Sequence, residues 1–275
     1  MTATAMEQDF NKLIMKLRET TGAGMMDCKK ALTEAKGNYD DALVVLRKKG
    51  LSDAAKKAGR VTKEGVISYS VQGNHAAIVE LNTETDFVAR NSEFVALGQT
   101  LADKFGKGEL KTLEDAAPLI QPVFQKLREN MGLRRFERLE TKGGFLYGYA
   151  HKPDPALGAK QGAIIELTAD APELAKELLL QIVAAKPKYL KREEVPAAEI
   201  EKEKEIHTEI LKKEGKPEAQ IPKIVEGKIN KLFYQSLCLL EQPSVRDNKT
   251  PMSAIIKEKG GAVAVTSFVR YQLGE

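Results

Sequence analysis

The hydrophobic pattern changes its period near residue 61, and this change constrains the fold more than any other feature. Before that point apolar residues recur at spacings of three and four, which places them on one helical face. The first such face consists of Phe10, Leu13, Ile14 and Leu17. After that point, residues 66–71 and 76–81 are rich in apolar and β-branched residues and flank Gln72–Asn74, a sequence typical of a hairpin turn. A helical start followed by antiparallel strands and helices predicts the α+β class.

Residues 1–50 are predicted to form three short helices. Gly22 follows the first helix, Gly37 follows the second, and Gly50 is expected to end the third. Three helices in so short a segment form a bundle with a small core, similar to ubiquitin-associated domains. Residues 51–60 are small and charged, and they are predicted to be a linker.

The rest of the chain is predicted to form two related subdomains, residues 61–140 and 141–275, each with an antiparallel sheet. The order strand, strand, helix occurs in both, which indicates a weak internal repeat. In the second subdomain, strands are predicted at 145–149 and 163–167, and a helix begins at Pro172. The other predicted elements are helices at 94–105, 119–131 and 251–259 and strands at 133–139 and 261–271.

A strongly charged segment at about residues 197–232 is predicted to be inserted in the second subdomain. Ten of the sixteen residues 199–214 are charged, which leaves only a narrow apolar stripe on a helix. A turn at Gly215–Pro217 is followed by a second apolar helical stripe. The segment is therefore expected to be an antiparallel, coiled-coil-like helical hairpin with a narrow buried seam.

The composition argues against two classes of partner. The net charge is +4 with 30% charged residues, and basic residues are interleaved with acidic ones, so direct nucleic-acid binding is not expected. No apolar run approaches the roughly 18 residues that span a bilayer, and the N-terminus has no apolar signal segment. Cys28 and Cys238 lie far apart, which is typical of a reduced compartment. A cytoplasmic protein without a membrane partner is expected.

The sequence offers no convincing catalytic or metal-binding group. His75, His151 and His207 are the only histidines; they are expected to be solvated surface residues, and no Cys or His pair has metal-ligand spacing. The glycine-rich Thr21–Gly24 follows a helix and lacks the Gly-Lys-Ser/Thr ending of a phosphate-binding loop. Neither a cofactor nor a catalytic residue is predicted, and an enzyme is a poorly supported alternative.

Two short segments are unusual, and the residues alone leave both open. Met25 and Met26 are adjacent on a predicted helix, so they cannot both face its core; one serves the core or a partner, and the other is exposed. Thr85–Asn91 begins with a Thr-Asp-Phe sequence. It reads as a helix N-terminus with Thr85 or Asp86 as the cap and Phe87 packed inward, or as a contact surface.

Both segments resemble signatures of a known family. The run Leu17–Leu32 is similar to the N-terminal signature of the elongation factor Ts family, and Thr85–Asn91 is similar to its second signature. The charged hairpin and the ending Phe268–Tyr271 fit this family in order and place. The likeness covers roughly residues 7 to 272.

The resemblance implies an exchange factor that catalyses no covalent change. Such a protein binds the GTPase elongation factor Tu in its GDP-bound and nucleotide-free forms and promotes the release of GDP, so that GTP can bind. Thr85, Asp86, Phe87 and Val88 would disturb the Mg²⁺ site of the GTPase, with Phe87 as a wedge and Asp86 as a polar contact. Arg18, Met25 and Met26 would dock the three-helix bundle on a helix of the GTPase's nucleotide-binding domain.

The sequence leaves two questions open, the exchange activity and the oligomeric arrangement. The resemblance leaves room for an interaction module without exchange activity, in which Phe87 would be a core residue and its loss would unfold the protein. The edge strand predicted near residues 262–271 could pair with a second copy of the chain, so a homodimer or a heterotetramer with the GTPase is also an open arrangement.

Overall fold

The computed structural model describes residues 3–57, 59–152 and 157–275. Its elements follow one another in the order that the sequence predicts, and the α+β class is confirmed. The helices are α1 (Ala3–Thr21), α2 (Met25–Glu34), α3 (Tyr39–Lys57), α4 (Asp86–Ala89), α5 (Ser92–Gly106), α6 (Ala117–Leu127), α7 (Pro172–Ala185), α8 (Ala197–Lys213), α9 (Ile221–Lys228), α10 (Tyr234–Leu237) and α11 (Met252–Gly260). The strands are β1 (Glu64–Gln72), β2 (His75–Thr83), β3 (Met131–Glu140), β4 (Phe145–His151), β5 (Gln161–Leu167) and β6 (Val265–Gln272).

Helices α1, α2 and α3 form the predicted three-helix bundle, called the head below. Its buried core contains Ile14, Leu17, Cys28, Ala31, Leu32, Ala42 and Leu46. Gly37 follows α2 at φ +84°, a left-handed conformation that favours glycine. Asn38 then caps α3, because its side-chain oxygen accepts from the N–H of Asp40 at 2.9 Å and of Asp41 at 3.2 Å.

The third helix is longer than predicted. It continues past Gly50 to Lys57, so most of the segment predicted to be a linker is helical. Gly50 permits the close approach of another helix: a Cβ there would lie 2.4 Å from Nε2 of Gln125 in α6. Lys57 at the end of α3 donates to the carbonyl oxygen of Arg128. Packing against α6 therefore extends the helix beyond the glycine that the sequence suggested as its end.

Two three-stranded antiparallel sheets follow, with strand orders β1-β2-β3 and β4-β5-β6. They pack face to face through an apolar layer that includes Ile67, Ile78, Leu146, Ile164 and Tyr271. Helices α5 and α6 cover the outer face of the first sheet, and α7 and α11 cover that of the second. The result is four layers, helix, sheet, sheet and helix, in which each sheet is buried on both faces.

Helix α6 is shorter than the predicted helix at 119–131. It ends at Leu127, and Met131 begins β3. Arg128 adopts φ +61°, and its N–H donates to the carbonyl oxygen of Phe124 at 2.8 Å. This left-handed residue turns the chain out of the helix, and the three residues 128–130 connect α6 to the sheet.

The charged segment is a helical hairpin, as predicted. Helices α8 and α9 pack through a separate small core of Leu211, Ile221, Val225 and Ile229. Gly215 makes the turn at φ +72°. The return helix continues through a π-helical stretch, Ile229–Phe233, into α10. At the base, Arg192 pairs with Glu241 and contacts the side-chain oxygen of Asn230 at 3.0 Å.

A buried charge joins the two sheets. The side chain of Glu80 in β2 is fully buried, and Arg134 and Arg135 of β3 contact its carboxylate at 2.9 and 2.7 Å. A β-bulge in this pairing brings both arginines to one carboxylate. The N–H of Gly274, just beyond β6, donates to the same carboxylate at 3.0 Å. Glu80 therefore fixes the end of the chain to the first sheet.

Candidate partner-binding site

The first part of the site is the turn between β2 and α5. Thr85 caps the short helix α4, because its hydroxyl oxygen accepts from the N–H of Val88 at 3.4 Å. Thr85 is one of the two caps that the sequence proposed. Asn91 caps α5 in the same way, accepting from the N–H of Glu93 at 2.9 Å. Two caps within seven residues fix this turn, called the Phe87 turn below and comprising residues 84–91.

Phe87 projects from this turn into solvent. Its exposed fraction is 82%, the largest among the exposed large apolar side chains that the structure describes. The interpretation that Phe87 packs inward is therefore wrong. Val88 and Ala89 face inward instead and belong to the core between the first sheet and α5. They anchor the turn from below, so that Phe87 is held out by buried neighbours.

Glu129 holds the Phe87 turn from the other side. Its carboxylate accepts from the backbone N–H of Thr85 at 3.0 Å and from the hydroxyls of Thr85 at 2.6 Å and Thr83 at 3.1 Å. Hydrogen bonds to a carboxylate are among the stronger ones in proteins. Sequence reasoning missed Glu129, because it lies 44 residues from Thr85 and no local pattern marks it.

Glu84 adds a second connection to the same stretch. Its carboxylate accepts from the N–H of Asn130 at 2.6 Å, and Arg60 lies at 3.4 Å. The hydrogen bond from Asn130, assisted by Arg60, lowers the pKa of Glu84 below its usual range. Within the turn, Asp86 pairs with Arg90 one helical turn later at 3.2 Å. Asp86 stays half exposed beside Phe87.

The second part of the site is on the head. Met25 and Met26 begin α2, and both are exposed, by 42% and 61%. The sequence required one of them to be exposed; the core of the head is instead completed by Cys28, Ala31 and Leu32 on the opposite face of α2. Arg18, near the end of α1, is also exposed. These three residues lie on the head, whereas the Phe87 turn lies on the part formed by the two sheets and their helices, called the body below; head and body are the two lobes of the site.

The three histidines lie in different environments. His151 is exposed, and His75 is partly buried beside Arg138 at 3.0 Å. His207 is mostly buried, with a 16% exposed side chain that contacts Glu203 at 3.2 Å, so its predicted solvation is wrong. Within the described ranges, no three acidic, cysteine or histidine side chains are grouped to hold a metal ion.

Both cysteines are buried. Burial raises the pKa of the Cys28 thiol, and it raises that of Cys238 to about 11. Thiols with raised pKa values are poor nucleophiles at neutral pH. In residues 3–57, 59–152 and 157–275, no helix has the length and apolarity that crossing a membrane requires.

Comparison with known proteins shows which family this chain resembles. The family described as Elongation factor TS matches residues 84–275. The elongation factor Ts of Clostridium botulinum (strain Alaska E43 / Type E3) is 43% identical, covering 96% of this chain and 92% of its own length. That of Salinispora tropica is 41% identical, covering 95% and 97%, and that of Prosthecochloris aestuarii is 39% identical, covering 98% and 100%.

These matches make the chain a translation elongation factor. The family model covers the Phe87 turn, and the three relatives, which cover at least 95% of the chain, extend into the head as well. It belongs to the elongation factor Ts family. The family resemblance inferred from Leu17–Leu32 and Thr85–Asn91 is thereby confirmed.

Proposed function

We propose that this chain is the guanine-nucleotide exchange factor of the GTPase elongation factor Tu. It binds the GDP-bound form, disturbs the Mg²⁺ and phosphate site, promotes the release of GDP and leaves a nucleotide-free GTPase that GTP can load. In this role it makes and breaks no covalent bond. The observation that carries the proposal is Phe87, a large apolar side chain 82% exposed at the tip of a turn fixed by two caps.

An exposed phenylalanine of this kind is suited to insertion into a partner. Leaving its ring in water is unfavourable by about 2 kcal/mol relative to full burial, and a pocket on the partner would recover that free energy. The backbone that carries the ring is also fixed before binding, because Val88 anchors the turn and Thr85 is bonded to Glu129. Little backbone entropy is then lost when the ring enters its pocket.

Displacement of the partner's Mg²⁺ would follow from such an insertion. Mg²⁺ requires nearly ideal octahedral geometry, so a small shift of its ligands weakens its binding and that of the phosphates it bridges. Asp86 lies beside Phe87 and is half exposed, so it can contact the partner's polar groups next to the wedge. Thr85 and Val88 set the position of the turn rather than the contact itself.

The head provides the second contact in this proposal. Met25 and Met26 are exposed on one end of α2, and flexible methionine side chains adapt well to a partner surface. Arg18 lies on the same lobe and would dock with them. We further propose residues 1–50 as the docking domain, 51–60 as its connection, and 61–140 and 141–275 as the two core subdomains, the second carrying the hairpin at about 197–232.

The setting of the proposal is the cytoplasm, where translation takes place. The chain would act without a cofactor and without contacting nucleic acid or membrane. Strand β6 is an edge strand of the second sheet, and the proposal includes its pairing with a second copy of the chain. The assembly would then be a homodimer, or a heterotetramer with the GTPase.

The test is the release of a fluorescent GDP analogue from purified elongation factor Tu, followed by stopped flow. We expect the wild-type chain to accelerate release by orders of magnitude and Phe87→Ala to lose most of that acceleration. Phe145→Ala is the matched control, because Phe145 is 43% exposed on β4 of the other sheet. It should keep the wild-type rate.

Circular dichroism of each variant establishes that it is folded. If the wild-type chain binds the GTPase but leaves the release rate unchanged, the exchange function is wrong and the chain is an interaction module. If Phe87→Ala accelerates the release of GDP as much as the wild-type chain does, the exchange function stands and Phe87 is not the wedge.

A further inference from the structure

Two adjacent residues after α6 reach in different directions. Arg128 has φ +61°, and its N–H closes the end of α6 on the carbonyl oxygen of Phe124. A non-glycine residue in this left-handed region costs of the order of 1 kcal/mol, so it persists only where surrounding contacts determine it. The contacts here are on opposite sides: Arg128 contacts the head, and Glu129 contacts the Phe87 turn.

Arg128 attaches the head to the body. Its guanidinium contacts Asp27 of α2 at 2.7 Å and Asp53 of α3 at 3.6 Å. Asp27 directly follows Met25 and Met26 in the first turn of α2, and it is also paired with Lys49 of α3. Hydrogen bonding to Lys49 and to Arg128 lowers the pKa of Asp27, so its carboxylate is ionised at neutral pH.

Glu129 attaches the Phe87 turn to the same short connection. Its three hydrogen bonds to Thr83 and Thr85 hold the cap of α4, two residues before Phe87. The side chains of Arg128 and Glu129 therefore end on the two lobes that carry the proposed partner contacts, and one peptide unit joins them.

Lys126, two residues earlier, supports this arrangement. Its ammonium group contacts Glu93 in the first turn of α5 at 3.1 Å. Its aliphatic stem packs on the head: a Cβ at Gly22, between α1 and α2, would lie 2.1 Å from Cγ of Lys126. The end of α6 thus contacts both the turn between α1 and α2 in the head and the start of α5 beside the Phe87 turn.

We propose that Arg128 and Glu129 are positioning residues for nucleotide exchange: they set the head and the Phe87 turn at a fixed separation, so that one GTPase molecule meets both contacts at once. This inference rests on the proposed function. The physical reason is preorganisation, since a head free to move would have to be ordered on binding, which weakens the complex without removing any contact. The effective concentration of the second contact would fall correspondingly.

The two residues should affect different kinetic parameters of GDP release. Arg128→Ala loosens the head by removing its ion pairs with Asp27 and Asp53, so the concentration of the chain for half-maximal acceleration should rise about tenfold, while the maximal rate at saturation stays within about twofold. Glu129→Gln weakens the support of the Phe87 turn and so misplaces Phe87, which should lower the maximal rate by about tenfold. A general loss of folded protein would not divide between the two parameters in this way.

The position of the head can be measured without the GTPase. Spin labels at Val44→Cys on α3 and Thr100→Cys on α5 report the distance between head and body by double electron–electron resonance. Both positions are exposed, while the native Cys28 and Cys238 are buried. We expect a narrow distance distribution in the otherwise wild-type chain and a broad one with Arg128→Ala.

Arg138→Ala is the matched control, because it also removes an arginine that pairs with a carboxylate. Arg138 contacts Glu140 at 3.2 Å, and it lies near the opposite end of β3 from Arg128. It should leave both the distance distribution and the kinetics unchanged. Asp27→Asn breaks the same ion pair from the head's side and serves if Arg128→Ala does not fold; it should also broaden the distribution.

An unchanged distance distribution in both Arg128→Ala and Asp27→Asn would overturn the proposal. An unchanged half-maximal concentration together with a broadened distribution would also overturn it, because the head would then be held for another purpose. If the wild-type chain does not accelerate GDP release at all, the proposed function fails, and the spin-label result still reports whether Arg128 holds the head.

Discussion

At the scale of the residue, Phe87 and Phe94 lie seven residues apart in opposite environments. Substituting each of them distinguishes a residue proposed to contact a partner from one that stabilises the fold. Phe87 is 82% exposed, whereas Phe94 in α5 is fully buried. Phe87→Ala should change the free energy of unfolding by less than about 0.5 kcal/mol, because it removes no buried contact. Phe94→Ala should lower it by about 3–5 kcal/mol, because it leaves a cavity in the core.

Urea unfolding followed by circular dichroism measures both variants under the same conditions. A loss of more than about 2 kcal/mol in Phe87→Ala would mean that its ring packs against the protein in solution. The exposed position, and with it the interpretation of any kinetic effect as loss of a partner contact, would then be wrong.

At the scale of the elements, Glu80 joins β2, β3 and the segment after β6, and its ionisation makes the stability of the fold depend on pH. Its burial opposes ionisation, but the hydrogen bond from Gly274 and the ion pairs with Arg134 and Arg135 outweigh it. The pKa of Glu80 therefore lies below its ordinary value of 4.5. A lowered pKa in the folded state stabilises the fold fully above about pH 4.5, and this stabilisation is lost as the pH falls through the folded pKa.

We therefore expect the free energy of unfolding of the wild-type chain to decrease below about pH 4.5, with Glu80→Gln showing a weaker decrease over the same range. Urea unfolding at a series of pH values measures both. Glu258→Gln, at an exposed position of α11, corrects for the loss of one charge. Equal pH dependence in Glu80→Gln and wild type would show that this buried carboxylate contributes nothing to acid sensitivity.

At the scale of the whole molecule, exchange is a coupling between two ligands of one GTPase. If the chain weakens the binding of GDP by some factor, GDP must weaken the binding of the chain by the same factor. Calorimetric titration of elongation factor Tu with the chain, with and without saturating GDP, gives one side of this relation. Titration with GDP, with and without the chain, gives the other.

We expect the two factors to agree and to exceed about tenfold, since a coupling of 1–3 kcal/mol is typical. The Phe87→Ala chain should show a smaller factor in both titrations. Equal affinity of the chain for the GDP-bound and nucleotide-free GTPase would contradict exchange by coupled binding, even if a complex forms.

The local elements could be predicted because their signals are local. The hairpin of β1 and β2 follows from residues 66–81, and the helix at Pro172 from its own start signal, since alternation and capping are properties of neighbours in the chain. The residues at which elements end were harder to predict from the sequence. Gly50 looked like the end of α3, but it is the point where α6 approaches, and Arg128 ends α6 without a glycine.

The sequence by itself determined the order of the elements, the α+β class and, through two signature segments, the family. Hydrophobic periodicity left open which way Phe87 points, because α4 has four residues and too short a helix shows no period; the tertiary structure shows the ring exposed, as the family resemblance implied. The tertiary structure alone joined Arg128 to Asp27 and Glu129 to Thr85, pairs separated by 101 and 44 residues. Hydrophobic periodicity reports which face of one element is buried, whereas contacts between distant polar groups exist only after several elements have packed together.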